Sequence, residues 1–211
     1  MRILVVASTM AEIDTFQAQN TESEIDILIT GVGMVATTFR LTKVLSQNDY
    51  DIVVNAGIAG AFFKKFEIGE VVEVRSEQFP EIGVEDDNSF ISIFELGLLG
   101  ANEYPFQKEK LTNPDTGIPN LKLVDGVTVN KVHGNNLSIQ KVVDQFSPDV
   151  ESMEGAAVAF VCLQENIKFI QIRAISNYVE KRNKSAWNVP LALGNLNIVL
   201  EKLVFKLRID G

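Results

Sequence analysis

The chain has 211 residues, enough for one domain with a substantial core, and 46% of them are hydrophobic. Its net charge of −9 argues against a nucleic-acid surface, and no apolar run reaches the roughly 20 residues of a membrane span. The single cysteine, Cys162, rules out an intramolecular disulfide and suits a reducing cytoplasm; with one histidine beside it, no zinc site of nitrogen and sulfur ligands is expected.

The opening run Met1 to Ala7 is too short for a signal peptide and reads as a first strand over 2–7. Further β-rich runs predict strands near 25–30, 51–56, 69–75, 121–128 and 168–175. Apolar spacing predicts helices near 34–47, 137–146, 153–165 and 189–207. In the last of these Pro190 suits a first turn, and Leu193, Leu196, Leu200, Leu203 and Val204 form a stripe. Cys162 falls within the apolar helix after Met153 and reads as a buried structural thiol. Alternating strands and helices predict an α/β fold with a mostly parallel or mixed sheet covered on both faces. Between 76 and 120 the pattern breaks into an irregular insertion, with loop signals at Pro80, Gly83, Glu85 to Asp87 and Asn113 to Gly117. No repeat or interdomain linker divides residues 1–211.

Few residues carry chemistry by type and place. Two glycine-rich turns follow strands, Thr30 to Met34 and Asn55 to Gly60. Glycines there let backbone approach a ligand, but they serve ordinary tight turns equally well, and neither completes a nucleotide-binding fingerprint. Glu12 follows the first strand. It reads either as a base toward water or as an acid stabilised by a helix dipole, and Glu154 has the same two readings. His133 lies in a polar segment with no serine or cysteine nucleophile around it and reads as a loop residue. The run Glu85 to Asp87 reads as solvated, and Arg182, between Lys181 and Lys184, as a surface charge.

Five features in order, Glu12, Gly31-Val32-Gly33, Asn55 to Gly60, Met153-Glu154 and Arg173 to Ser176, resemble the nucleoside phosphorylase and nucleosidase superfamily. The likeness runs from residue 1 to about 205 and is weakest at 80–120. Its hydrolytic branch fits best: methylthioadenosine/S-adenosylhomocysteine nucleosidases and futalosine hydrolases. The resemblance implies a three-layer α/β/α fold around a mixed, partly barrel-like sheet. It further implies that Glu12 activates the attacking water and that Met153 and Glu154 contact the ribose. Gly60, Val129 and Asn130 line the sugar and base, and Ser176 belongs to the same site. It implies no cofactor or metal, a small purine nucleoside as substrate, and a homodimer to which the 80–105 insertion contributes.

Asn177 stands where the adenine-specific members carry an aspartate, and the change has a chemical reading. Adenine presents an N6 donor beside the N7 acceptor, so a carboxyl group can accept from one and protonate the other. Hypoxanthine presents two acceptors, O6 and N7, which an amide NH₂ satisfies and a carboxylate does not. The substitution therefore points to a 6-oxopurine nucleoside. Futalosine is one, a hypoxanthine riboside whose 5′ side carries a benzoate, and its hydrolysis serves menaquinone synthesis. Ser176-Asn177 followed by Arg182 and Trp187, together with Phe79 to Glu85, resembles the futalosine hydrolase pattern. Arg182 is the expected benzoate partner, with Arg75, Lys181 and Lys184 as rivals. Val129 replaces a stacking phenylalanine, so stacking is expected from Phe79 or Trp187. A methylthioadenosine-type nucleosidase and a non-catalytic nucleoside-binding module remain the alternatives.

Overall fold

Short apolar runs rich in β-branched residues and apolar stripes at helical spacing set the element order. The computed structural model describes residues 1–20, 22–87, 89–114 and 117–210. Along the chain lie Ile3–Ala7 (β1), Met10–Gln19 (α1), Ile25–Ile29 (β2), Met34–Leu45 (α2), Ile52–Ala61 (β3), Val71–Gln78 (β4), Gly83–Asp86 (β5) and Ser89–Ser92 (β6). Leu111–Thr112 (β7), Lys122–Thr128 (β8), Asn136–Phe146 (α3), Val150–Ser152 (β9), Gly155–Gln164 (α4), Lys168–Tyr178 (β10) and Val189–Asp210 (α5) complete it.

The main sheet runs β10-β4-β8-β9-β3-β1-β2, and a further β10–β3 pairing joins its first strand to its fifth. Strands β3, β10, β4, β8 and β9 therefore close on themselves as a five-strand mixed barrel, with β1 and β2 extending it as a parallel wing. Alternation along β1 shows the layers. Ile3, Val5 and Ala7 pack with Leu196 and Leu200 of α5, whereas Leu4 and Val6 face Leu41 of α2 and Val158 of α4 on the other side. Val72, Val74, Val124, Val150 and Ile175 form a third cluster with Ala59 and Ala61. The result is a three-layer α/β/α arrangement around a partly barrel-like sheet, as the resemblance implied.

Two sequence-based expectations change. Residues 55–60 are not a turn: β3 runs straight through them to Ala61. Its glycines answer a packing demand, because a Cβ at Gly60 would stand 2.9 Å from Val179 Cγ2 and one at Gly57 3.0 Å from Glu12 Oε1. The first glycine pair does turn, with φ of +79° at Gly31 and +92° at Gly33. Helix α1 and the short strand β9 carried no expected element; both lack a long periodic run. The 76–120 insertion holds the exposed β5–β6 hairpin and β7, while Asp115 and Thr116 of its expected loop lie outside the described residues. No described helix is long and apolar enough to cross a membrane.

Candidate active site

Strands β1, β3 and β10 run parallel; β1 stops one residue past its pairing with Asn55, while β3 and β10 run on together to Ala61 and Tyr178, which leaves a ligand crevice beyond the tip of β1. A cavity of about 330 Å³ lies there, lined by Thr9, Glu12, Val32, Ile58, Gly60, Val132, Glu151, Met153, Glu154, Ser176, Asn177, Trp187 and Leu193, among others.

Glu12 is in the first turn of α1, yet it is only 8% exposed, so it is not a solvated helix-start acid. Its Oε2 accepts from Ser8 Oγ at 2.6 Å and from the Thr9 amide at 2.9 Å, and Oε1 accepts from the Ile58 amide at 3.3 Å. The carboxylate thus ties the tip of β1 to β3. The helix breaks directly afterwards: Ile13 has φ −133° and ψ 20°. Asn197 of α5 inserts there, donating to the Glu12 carbonyl at 2.9 Å and accepting from the Phe16 amide at 2.9 Å. Insertion of a polar side chain into the helix ladder accounts for the kink and anchors the turn that carries Glu12.

Glu154 is the N-cap of α4, with Oε1 accepting from the Gly33 amide at 2.7 Å. The left-handed Gly33 is what turns that N–H toward it. Burial raises the pKa of Glu154, against the lowering effects of the Gly33 hydrogen bond and of Arg173. Arg173 is 2% exposed and fixed by Asn55 Oδ1 at 2.5 Å and the Ile172 carbonyl at 3.0 Å. Burial depresses its pKa, while the carboxylates of Glu77, Glu154 and Glu12 oppose that shift. One guanidinium therefore underlies three carboxylates.

Glu77, 2% exposed, accepts from Gln171 Nε2 at 2.5 Å and Thr128 Oγ1 at 3.0 Å, and Thr128 Oγ1 in turn accepts the Ala156 amide of α4 at 2.7 Å. A Cβ at Gly155 would stand 2.0 Å from Glu77 Oε1, so the helix start is shaped around this acid. Burial pushes the Glu77 pKa up from 4.5 to about 7. Between those values the unfolded chain releases the proton and the folded chain retains it, so stability falls as pH rises from about 4.5 to about 7, by about 3 kcal/mol in all. Glu77→Gln removes that slope. Denaturant unfolding at pH 5 and pH 8 should therefore show the variant gaining on the parent at the higher pH, and an equal difference at both would contradict this.

Asn177 is placed by a register shift in β10 between Ile175 and Asn177, which leaves it paired with Gly60. Its Oδ1 accepts from Ser176 Oγ at 2.8 Å and its Nδ2 donates to the Tyr178 carbonyl at 3.0 Å. A carbonyl only accepts, so the amide orientation is determined, and a second N–H is left to donate. A Cβ at Gly60 would lie 3.1 Å from Nδ2.

The structure brings together Glu12, Gly60, Met153, Glu154, Ser176 and Asn177, but it places four expected site residues elsewhere. Phe79 lines a separate cavity of about 520 Å³ with Phe106 and Phe160, because the end of β4 turns toward α2 and α4. Val129 is fully buried, its amide bonded to the Ser152 carbonyl, and Val132 takes the lining position. Asn130 is exposed and bonds Glu81 through both its amide and Nδ2. Arg182 does not line the cavity; it stacks on Trp187, 5.5 Å from the ring centroid, and Trp187 does line it. Of Arg182's rivals, Arg75 is committed to Asp125 through Nε and Nη2 at 2.9 Å each. Lys181 borders a separate surface pocket, and the Lys184 side chain lies outside the described residues. Missed from the sequence were Glu77, Glu151, the deep role of Arg173, and Asn197; a lone arginine inside the apolar run Phe169 to Ile175 was the available signal for one of them. His133 is in a loop, but its side chain is largely buried and its Nδ1 bonds Glu151 Oε2.

No protein-family model matches the chain. Among curated proteins, a futalosine hydrolase of Acidothermus cellulolyticus is 30% identical over 175 residues, spanning 81% of this chain and 71% of the relative. The fold matches a methylthioadenosine/S-adenosylhomocysteine nucleosidase of Neisseria meningitidis in complex with methylthio-immucillin-A (TM-score 0.78, 16% identity, 97% and 99% of the two chains). It also matches the native futalosine hydrolase of Helicobacter pylori strain 26695 (TM-score 0.73, 17% identity, 97% of each chain).

Proposed function

Because the chain belongs to the futalosine hydrolase family, we propose that it hydrolyses the N-ribosidic bond of futalosine, releasing hypoxanthine and leaving the dehypoxanthinyl sugar for menaquinone synthesis. The observation that carries the substrate assignment is the Asn177 amide, held so that an N–H remains to donate in the cavity where the base departs.

In this reading Glu12 takes a proton from water as the oxygen attacks the anomeric carbon and the bond to the purine breaks. Glu154, aimed by the Gly33 amide, grips the ribose hydroxyls, and Met153 packs beside it. Charge gathering on the departing base spreads over N7 and O6, where Asn177 stabilises it; the base collects its own proton from solvent afterwards. Trp187 offers the stacking surface, and Arg182, resting on that ring at the cavity rim, is the proposed partner of the benzoate.

Hydrolysis rather than phosphorolysis follows from the wall's charge. Its described ionisable side chains are Glu12, Glu151 and Glu154, and the guanidinium beneath them is already bonded to Asn55 and Ile172. Phosphate would meet carboxylates there. The proposed assembly is a homodimer in a reducing cytoplasm. Supporting it, the apolar cavity around Phe79, Ile82, Leu99 and Tyr104 adjoins α2, whose Val35 and Phe39 are 82% and 68% exposed.

The test is turnover of futalosine in phosphate-free buffer, followed by release of hypoxanthine, on protein whose mass in solution is measured in parallel. Undiminished release by a dimer is expected. A requirement for added phosphate would overturn the hydrolytic reading, and a monomer at all concentrations would overturn the assembly.

A further inference from the structure

Asn177 satisfies only part of a 6-oxopurine. Along one edge such a base presents N7 and O6, both acceptors, and then N1–H, a donor. A buried N1–H without an acceptor would cost most of the discrimination that the amide provides.

The strand order puts one acceptor where this edge continues. Asn177 of β10 pairs with Gly60 of β3, and Gly60 pairs on its other side with Glu151 of β9. Neighbouring strands lie about 4.8 Å apart, so the two flanking backbones stand about 10 Å from each other across a residue that has no side chain. Both flanking residues line the cavity. Val179 Cγ2 fills the face above Gly60, 2.9 Å from where a Cβ would stand, and a flat base held in the cavity between residues 177 and 151 has an amide at one side and a carboxylate at the other. The remaining two acids of the wall are held elsewhere, Glu12 by Ser8, Thr9 and Ile58 and Glu154 by Gly33.

Glu151 is also built in. It is 4% exposed, its Oε1 accepts from the His133 amide at 2.9 Å, and its Oε2 is bonded by His133 Nδ1. A carboxylate offers lone pairs only, so Nδ1 is the donor, and the oxygens keep acceptor capacity beyond the two bonds from His133.

We propose that Glu151, braced by His133, is the specificity-determining acceptor for the N1–H of the departing base. The proposal rests on the reading that the substrate is a hypoxanthine riboside. Glu151 then works with Asn177 as a two-sided reader. Hypoxanthine satisfies both, whereas adenine sets its N6 donor near the amide and its N1 lone pair against the carboxylate.

The test is competition against futalosine turnover by hypoxanthine and by 1-methylhypoxanthine, in which a methyl group replaces the N1 hydrogen. Wild-type protein should bind hypoxanthine about tenfold tighter or more. In Glu151→Ala no acceptor is left and the preference should fall to about twofold or less, whereas Glu151→Gln, which keeps one acceptor oxygen, should fall between that variant and the wild type. The same preference in wild type and both variants, or none in wild type, would overturn the assignment; the wild-type arm decides even if a variant fails to fold. Absence of hypoxanthine release from futalosine by the wild type is a separate outcome, which overturns the parent reading and this one with it.

Discussion

Glu12→Gln should lower kcat by about a thousandfold while the protein folds, melts close to the parent temperature and still binds hypoxanthine. A positioned general base contributes about 10²–10⁴ to such steps, and the amide cannot take the proton from water. Shape is retained, and the side-chain oxygen still accepts from Ser8 and Thr9, as the carboxylate does at 2.6 and 2.9 Å. The new NH₂ is left facing the Ile58 amide, a donor against a donor where Oε1 now accepts at 3.3 Å. That contact is long, so the structural cost stays near the value of one weak hydrogen bond, about 1 kcal/mol. Single-turnover hydrolysis with a parallel thermal melt separates the two effects. Turnover within tenfold of the parent would remove Glu12 from the proton-transfer step.

The second large effect is expected from Asn177→Asp. One aspartate oxygen inherits the bond from Ser176, but the other comes to face the Tyr178 carbonyl that Nδ2 now approaches at 3.0 Å. Two acceptors at that distance repel unless the carboxyl holds a proton, so the substitution favours the protonated acid. Once a purine is bound, that proton can turn from Tyr178 to N7 while the group accepts from the N6 amine of adenine, which Asn177 cannot do. Toward hypoxanthine it turns a lone pair to O6. Loss of a buried donor is worth about 1–3 kcal/mol, or about fivefold to 150-fold in the ratio of the two substrates. The side chain at 151 is unchanged and still disfavours the adenine N1, so the expected change is a shift of that ratio rather than full conversion to an adenine nucleosidase.

Much of this fold was legible because its strands are nearly continuous β-branched runs, and Leu196, Leu200 and Leu203 of α5 stand at helical spacing with Ala192. The site was legible where chemistry is local to a motif: Glu12, Met153-Glu154 and Ser176-Asn177 all face one cavity. It failed where the deciding contact is tertiary. Nothing in or just after β8 reveals that the Val129 amide binds Ser152, and nothing near Phe79 reveals that its strand ends under α2 and α4 rather than at the cavity. Asn55 to Gly60 look like a turn because glycine is the usual marker of one, whereas here Gly57 and Gly60 are small so that Glu12 and Val179 can approach a continuing strand. The acids at 77 and 151 were passed over for the same reason. Only the closed barrel brings Glu77 beneath α4 and sets Glu151 across Gly60 from Asn177.

Base release by the wild-type protein shows at once whether this cavity hydrolyses a 6-oxopurine nucleoside. Futalosine and methylthioadenosine are offered together in phosphate-free buffer, and the liberated bases are resolved by chromatography. Hypoxanthine from futalosine, with adenine absent or slower by about two orders of magnitude, is the expected result. Adenine released as fast as hypoxanthine would mean that the Asn177 amide, held as a donor, is not what selects the base.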